Sequence, residues 1–116
     1  MQTERIDKPW GFEEILEANE IYTVKRLFMS KNNRCSLQYH QSKKETIVGI
    51  SGELTIIIDD DEMILSPGQV VTISPLTVHR MWAKFTDCIY LECSTSQLND
   101  VIRVDDDFGR KNQNEQ

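Results

Sequence analysis

The stretch Ser36-Leu-Gln-Tyr-His-Gln-Ser-Lys-Lys-Glu45 decides how the rest of this chain is read. As an extended strand it alternates faces, so Ser36, Gln38 and His40 project from one side while Leu37 and Tyr39 project from the other. A turn through Gln41 to Lys44 returns Glu45 to the polar side, which gathers an amide oxygen, an imidazole and a carboxylate in a small volume. That set is one imidazole short of a four-ligand metal site. The chain has two histidines, and the second, His79, follows Ser74-Pro75 at the start of another strand-like run. Both rings can therefore serve one ion. On spacing alone, a polar hydrogen-bonded loop accounts for the same residues equally well.

Outward from this stretch, what recurs is short runs rich in Ile, Val, Thr and aromatics, broken every eight to twelve residues by Asn, Asp, Gly or Pro. That rhythm signals an all-β sandwich or barrel. Strands are predicted at residues 10–16, 21–29, 35–40, 45–50, 53–58, 62–65, 69–73, 79–85 and 88–94. Strands this short escape exposed edges most readily by closing into a barrel. The run Ile56-Ile-Ile is apolar enough for burial on both faces. Asp59-Asp-Asp61 is read as a solvated hairpin tip, since it lacks the Gly and the terminal Glu of a calcium loop. Residues 96–104 are expected to form a short helix or an irregular cover over the barrel, and residues 111–116 a frayed tail. One domain is expected over residues 1–110, because 116 residues suffice for one core and not for two.

A formal net charge of −6, with no basic stripe or basic amphipathic helix, argues against a nucleic-acid or membrane partner. An anionic ligand would need local positive charge to overcome that background. Residues 1–7 carry no apolar segment of a secretory signal, and no apolar run approaches membrane-spanning length. Three cysteines, an odd number, argue against a disulfide framework, and Cys88 and Cys93 fall on opposite faces of one strand. The expected compartment is a reducing cytoplasm, with thiols acting as small core residues.

Gln38-x-His40-x4-Glu45-x6-Gly52 resembles the first motif of the cupins, with Gln38 in the place of that motif's first His. Gly68, Ser74-Pro75-Leu76 and His79 resemble the second, with Leu76 where the family usually has Gly. Lys8-Pro-Trp-Gly11, Val24-Lys-Arg26, Ser36-Leu-Gln38, His79-Arg80 and the segment from Ile102 to Arg110 narrow the likeness. Together they look like the cupin domain of type II mannose-6-phosphate isomerases, which often ends a bifunctional mannose-1-phosphate guanylyltransferase. Ser36-x-Gln38-x-His40 is also similar to the metal-binding strand of type I phosphomannose isomerases, in which Gln is itself a ligand.

The resemblance implies a cupin-type double-stranded β-helix, or jelly-roll barrel. It also implies one divalent ion (zinc, manganese, iron, cobalt or nickel) held by Gln38, His40, Glu45 and His79. The implied activity interconverts mannose 6-phosphate and fructose 6-phosphate through an enediol, the metal acting as a Lewis acid on adjacent sugar oxygens. Lys43, where the family usually has Arg, is the expected phosphate contact, with Lys25 and Arg110 as further substrate contacts. Glu92 is the candidate proton-transfer base, and Ser36 a contact for a sugar hydroxyl. Arg80, next to His79, is expected to face away from it and form a salt bridge. The chain departs from the family where consecutive His are common, having Gln41 and Ser42 after His40, and carries Asn32-Asn33 where Pro-Gly often lies. No Gly-rich nucleotide loop is present, so nucleotidyl transfer is not expected. A non-catalytic cupin that binds a sugar or small ligand, and another metal-dependent cupin enzyme such as a dioxygenase or epimerase, are the alternatives. Cupins are commonly dimers, so a homodimer is expected, with strand 10–16 pairing across a two-fold axis.

Overall fold

The computed structural model describes residues 3–97 and 99–110. Their strands are β1 (Glu4–Lys8), β2 (Gly11–Ala18), β3 (Tyr22–Met29), β4 (Leu37–Tyr39), β5 (Glu45–Ser51), β6 (Leu54–Ile58), β7 (Asp61–Leu65), β8 (Val70–Ile73), β9 (His79–Trp82), β10 (Cys88–Thr95) and β11 (Ile102–Asp105). They pair into a six-stranded sheet ordered β1-β2-β3-β10-β5-β8 and a five-stranded sheet ordered β11-β4-β9-β6-β7. All the pairings are antiparallel. This is an all-β, double-stranded β-helix of the kind expected. Among the described residues no helix is long and apolar enough to cross a membrane.

Alternation along each strand sorts the side chains into an interior and an outer face. In β3, Thr23, Lys25, Leu27 and Met29 are buried while Val24, Arg26 and Phe28 are not. In β10, Cys88 and Tyr90 face the interior, and Glu92 shares their phase. In β5, Glu45, Ile47 and Gly49 do so. The same register that builds the core from Leu27, Met29, Ile47, Ile56, Met81 and Tyr90 therefore also carries Lys25, Glu45 and Glu92 inward. Leu54, Thr55 and Ile56 are buried on both faces of β6, with Ile57 and Ile58 partly so. Gly52 turns the chain between β5 and β6 at φ 77°, and a Cβ there would lie 2.1 Å from the Asp87 carbonyl oxygen. Only glycine fits.

Two expectations need correction. Residues 102–105 form the edge strand β11 on β4, where a helix or irregular cover was expected, because pairing with β4 satisfies their backbone groups. Glu4–Lys8 forms β1, a hairpin partner of β2, so the strand expected to offer a free edge for two-fold pairing is flanked by β1 and β3. The Asp59-Asp60 turn is as read, with Asp61 opening β7. The cysteines are free, with Cys35 and Cys88 buried, and burial pushes the Cys35 thiol up to about 11. The predicted frayed tail, 111–116, lies outside the described residues.

Candidate metal centre

Two histidines and a glutamate meet inside the barrel. Gln38 of β4 stands directly opposite His79 of β9 in the ladder, which aims both side chains to one face. His40 follows β4 immediately, and Glu45 opens β5 on its inward phase. The Glu45 Oε1 atom lies 3.3 Å from His40 Nε2 and 3.0 Å from His79 Nε2. The ligand atoms of the three residues all lie within 4.8 Å of one another. All three side chains are almost completely shielded from solvent.

The tautomers follow from the outer contacts. His79 Nδ1 lies 2.8 Å from the Thr77 carbonyl oxygen, and His40 Nδ1 lies against that of Asp100. A carbonyl only accepts, so each Nδ1 carries the proton and each Nε2 of a neutral ring presents a lone pair. Those Nε2 atoms and both Glu45 oxygens are buried without a hydrogen-bond partner. Such lone pairs face one another tolerably only around a proton or a cation. Donor atoms about 3 Å apart are what one ion with ligand distances of ~2.1 Å brings together. The set fits a divalent metal with nitrogen and oxygen ligands and does not select which one.

The ligand turn is held from far along the chain. The Asp100 carboxylate accepts the backbone N–H groups of Gln41, Ser42 and Lys43 at 3.0, 2.7 and 2.9 Å. Burial opposes its charge, yet these bonds hold its carboxyl below the ordinary range. The Leu76 N–H donates to the His40 carbonyl at 2.6 Å, joining the β8–β9 connection to the same turn. Asp100 carried no signal in the sequence, since an aspartate that caps a turn some sixty residues away leaves no local pattern.

The remaining predicted residues divide into two groups. Lys43 is buried, with Nζ 3.6 Å from Glu45 Oε2 and 3.0 Å from Glu92 Oε1. Burial works against its charge, but Glu92 and Glu45 outweigh that and raise its pKa. Burial, and then the Glu45 charge, raise the Glu92 carboxyl against the pull of Lys43. Burial would likewise raise Glu45, but its contacts with His40, His79 and Glu92 and the Lys43 charge hold it well below the usual carboxylate range. Ser36, expected to meet a sugar hydroxyl, is instead buried and donates to Gln38 Oε1 at 2.6 Å. It orients the amide. Arg80 donates to the Cys35 carbonyl and reaches Asp107 at 3.9 Å, turned to the structural role expected for it.

A cavity of about 440 Å³ opens beside this centre. Gln38, Lys43 and Glu92 line it from the metal side, and Lys25 and Arg110 line it too. His40, Glu45 and His79 do not, lying one side chain behind its wall. Lys25 Nζ is 3.4 Å from Glu13 Oε1, and Arg110 forms a two-point pair with Asp106 at 2.9 and 2.8 Å. Lys8, Glu13 and Arg103 also line the cavity. For Lys8 and Glu13 no site role was predicted from the sequence.

The fold has close structural relatives. KdgF from Halomonas superposes with TM-score 0.74 at 13% identity, covering 84% of this chain and 91% of that one. A cupin-2 domain from Rhodospirillum rubrum gives 0.78 at 11%, covering 87% and 74%. In sequence, alginate biosynthesis protein AlgA of Pseudomonas aeruginosa is 29% identical over 107 residues, 89% of this chain and 22% of that protein. Mannose-1-phosphate guanylyltransferase of Escherichia coli K12 is 28% identical over 107 residues, 89% and 22%. The chain thus spans under a quarter of the length of these curated relatives. The family described as Mannose-6-phosphate isomerase C-terminal matches residues 1–107, and with the cupin fold already in hand this chain belongs to that family.

Proposed function

We propose that this protein is a metal-dependent aldose–ketose isomerase that interconverts mannose 6-phosphate and fructose 6-phosphate. One observation carries the reading: buried lone pairs of His40, Glu45 and His79 converge on one point behind a cavity wall formed by Gln38, Lys43 and Glu92. A divalent cation held by those three residues, with Gln38 as the fourth ligand, supplies Lewis acidity toward the adjacent oxygens of an open-chain sugar. Glu92 is the carboxylate at the cavity surface nearest to this centre through Lys43. It takes the proton from one carbon and returns it to its neighbour, the exchange an enediol requires. Lys43 fixes Glu92 in place, and Ser36 fixes Gln38.

The seclusion of the three metal-side residues favours a second reading, a cupin that holds its metal for structure and binds a sugar without converting it. Metal content of the purified chain, together with a coupled assay for fructose 6-phosphate formed from mannose 6-phosphate, separates the two. Bound metal with turnover that chelation removes supports the isomerase. Bound metal and bound sugar phosphate without turnover support the second reading.

A further inference from the structure

Tyr90 is the largest of the fully buried side chains, 2% exposed, and it lines the same cavity as Gln38, Lys43 and Glu92. Burial first, and then the charges of Cys35, Glu92, Glu13 and Glu45, push its phenol well above the ordinary range. The hydroxyl therefore keeps its proton and remains a neutral donor. A buried tyrosine usually spends that hydroxyl on a partner. Among the described residues none is hydrogen-bonded to this one. The side-chain atoms sealed from solvent without a partner include Trp10 Nε1 and Thr55 Oγ1, but not the Tyr90 oxygen. What little of Tyr90 is reachable thus includes its hydroxyl, and the space it opens on is the cavity.

The ladders set where this phenol stands. Tyr90 and Glu92 are two residues apart on β10 and share its inward phase, so their Cα atoms are about 7 Å apart. Their β3 neighbours, Leu27 and Lys25, line the cavity as well. On the other side the neighbour of Tyr90 is Gly49 of β5, where an added Cβ would lie 2.6 Å from the Ser66 carbonyl oxygen. That position admits only glycine, so β5 sets no side chain beside the ring. Packing does not call for the hydroxyl either: phenylalanine fills nearly the same volume and has no polar atom to desolvate. A polyol in the cavity, by contrast, brings oxygens that accept a hydrogen bond.

We propose that Tyr90 is a specificity-determining residue, whose hydroxyl donates a hydrogen bond to a sugar hydroxyl next to the carbons that Glu92 serves. The inference rests on the isomerase reading, in which the first two carbons react, so the partner is the 3-hydroxyl or the 4-hydroxyl. Tyr90 moves no proton in this scheme; it selects the ligand and fixes its place along β10. A site built to hydrogen-bond a hydroxyl rejects the analogue that lacks it, because its own buried polar group is then left unpaired.

Titration calorimetry of the full, metal-loaded chain and its Tyr90→Phe variant tests it, with metal content and urea unfolding measured for both. The probes are mannitol 6-phosphate, an open-chain compound with no carbonyl to isomerise, and its 3-deoxy and 4-deoxy forms. The unaltered chain is expected to bind one deoxy form about five- to tenfold more weakly than the parent, the net worth of one neutral hydrogen bond. Tyr90→Phe should weaken the parent by about the same factor, erase the discrimination against that deoxy form, and leave metal content and the urea midpoint no lower. A discrimination that survives in Tyr90→Phe, a loss shared equally by all three probes, or no binding to the unaltered chain overturns the assignment, even if isomerisation is observed. The expected binding pattern without any fructose 6-phosphate formed from mannose 6-phosphate keeps the role of Tyr90 and removes the isomerase.

Discussion

Lys43 Nζ stands 3.0 Å from Glu92 Oε1, with both side chains largely withdrawn from water. Without that ammonium, Glu92 and Glu45 would face each other as buried carboxylates. Removing one member of a buried charge group costs more than the group contributes, because the remaining charges lose their solvation and their partner together. Lys43→Met is therefore expected to lower unfolding stability by about 3 kcal/mol. Adding Glu92→Gln should restore part of the loss, with a coupling of about 1 kcal/mol or more in a double-mutant cycle read by urea unfolding. Strict additivity would show that the two side chains do not interact.

The three backbone N–H bonds to Asp100 and its carbonyl against His40 make it a positioning residue for the ligand turn. Such outer contacts are typically worth ten- to a hundredfold in metal affinity. Asp100→Ala is expected to weaken metal binding by at least about tenfold, measured by competition with a chromogenic chelator.

His79→Ala should abolish metal retention, because it removes a donor at the point of convergence. Asp60→Ala, in the hairpin turn between β6 and β7, should leave retention unchanged. Equal metal loss in the two, measured by elemental analysis after gel filtration, would place the ion at the acidic turn instead.

Leu76 has φ 69° and is 67% exposed. A side chain in the left-handed region costs roughly 1–2 kcal/mol, and glycine avoids most of that at some expense in unfolded-chain entropy. Leu76→Gly is expected to raise stability by about 1 kcal/mol, seen as a higher urea midpoint with unchanged slope.

The Arg110 guanidinium, hydrogen-bonded to Asp106, holds that carboxyl down at about 2 against an ordinary value of 3.8. A carboxyl held lower in the folded chain than in the unfolded one stabilises the fold above its unfolded pKa. The contribution, of the order of 2 kcal/mol, is lost as pH falls from about 4 toward about 2. Asp106→Asn should flatten the stability profile within that window and leave its slope at neutral pH unchanged.

Most strands could be read from alternation and punctuation, because inward residues of a half-buried strand must be apolar at every second position. The two that could not, β1 and β11, are edge strands whose sequences, Glu4-Arg-Ile-Asp-Lys8 and Ile102-Arg-Val-Asp105, carry little apolar signal since they bury so little. Lys25, Glu45 and Glu92 break the apolar rule on interior phases, which marks them as residues retained for something other than packing.

What the linear order of residues settled was a barrel of short strands and a short motif, Gln38 to Glu45, able to reach one distant histidine. Local spacing suffices there, because a strand's two-residue period dictates which side chains share a face. Which charged side chains share a cavity, which two carboxylates flank Lys43, and which aspartate braces the ligand turn were settled by ladder register and burial. Those relationships join segments far apart along the chain, and they depend on desolvation, which exists only once the two sheets have closed on each other.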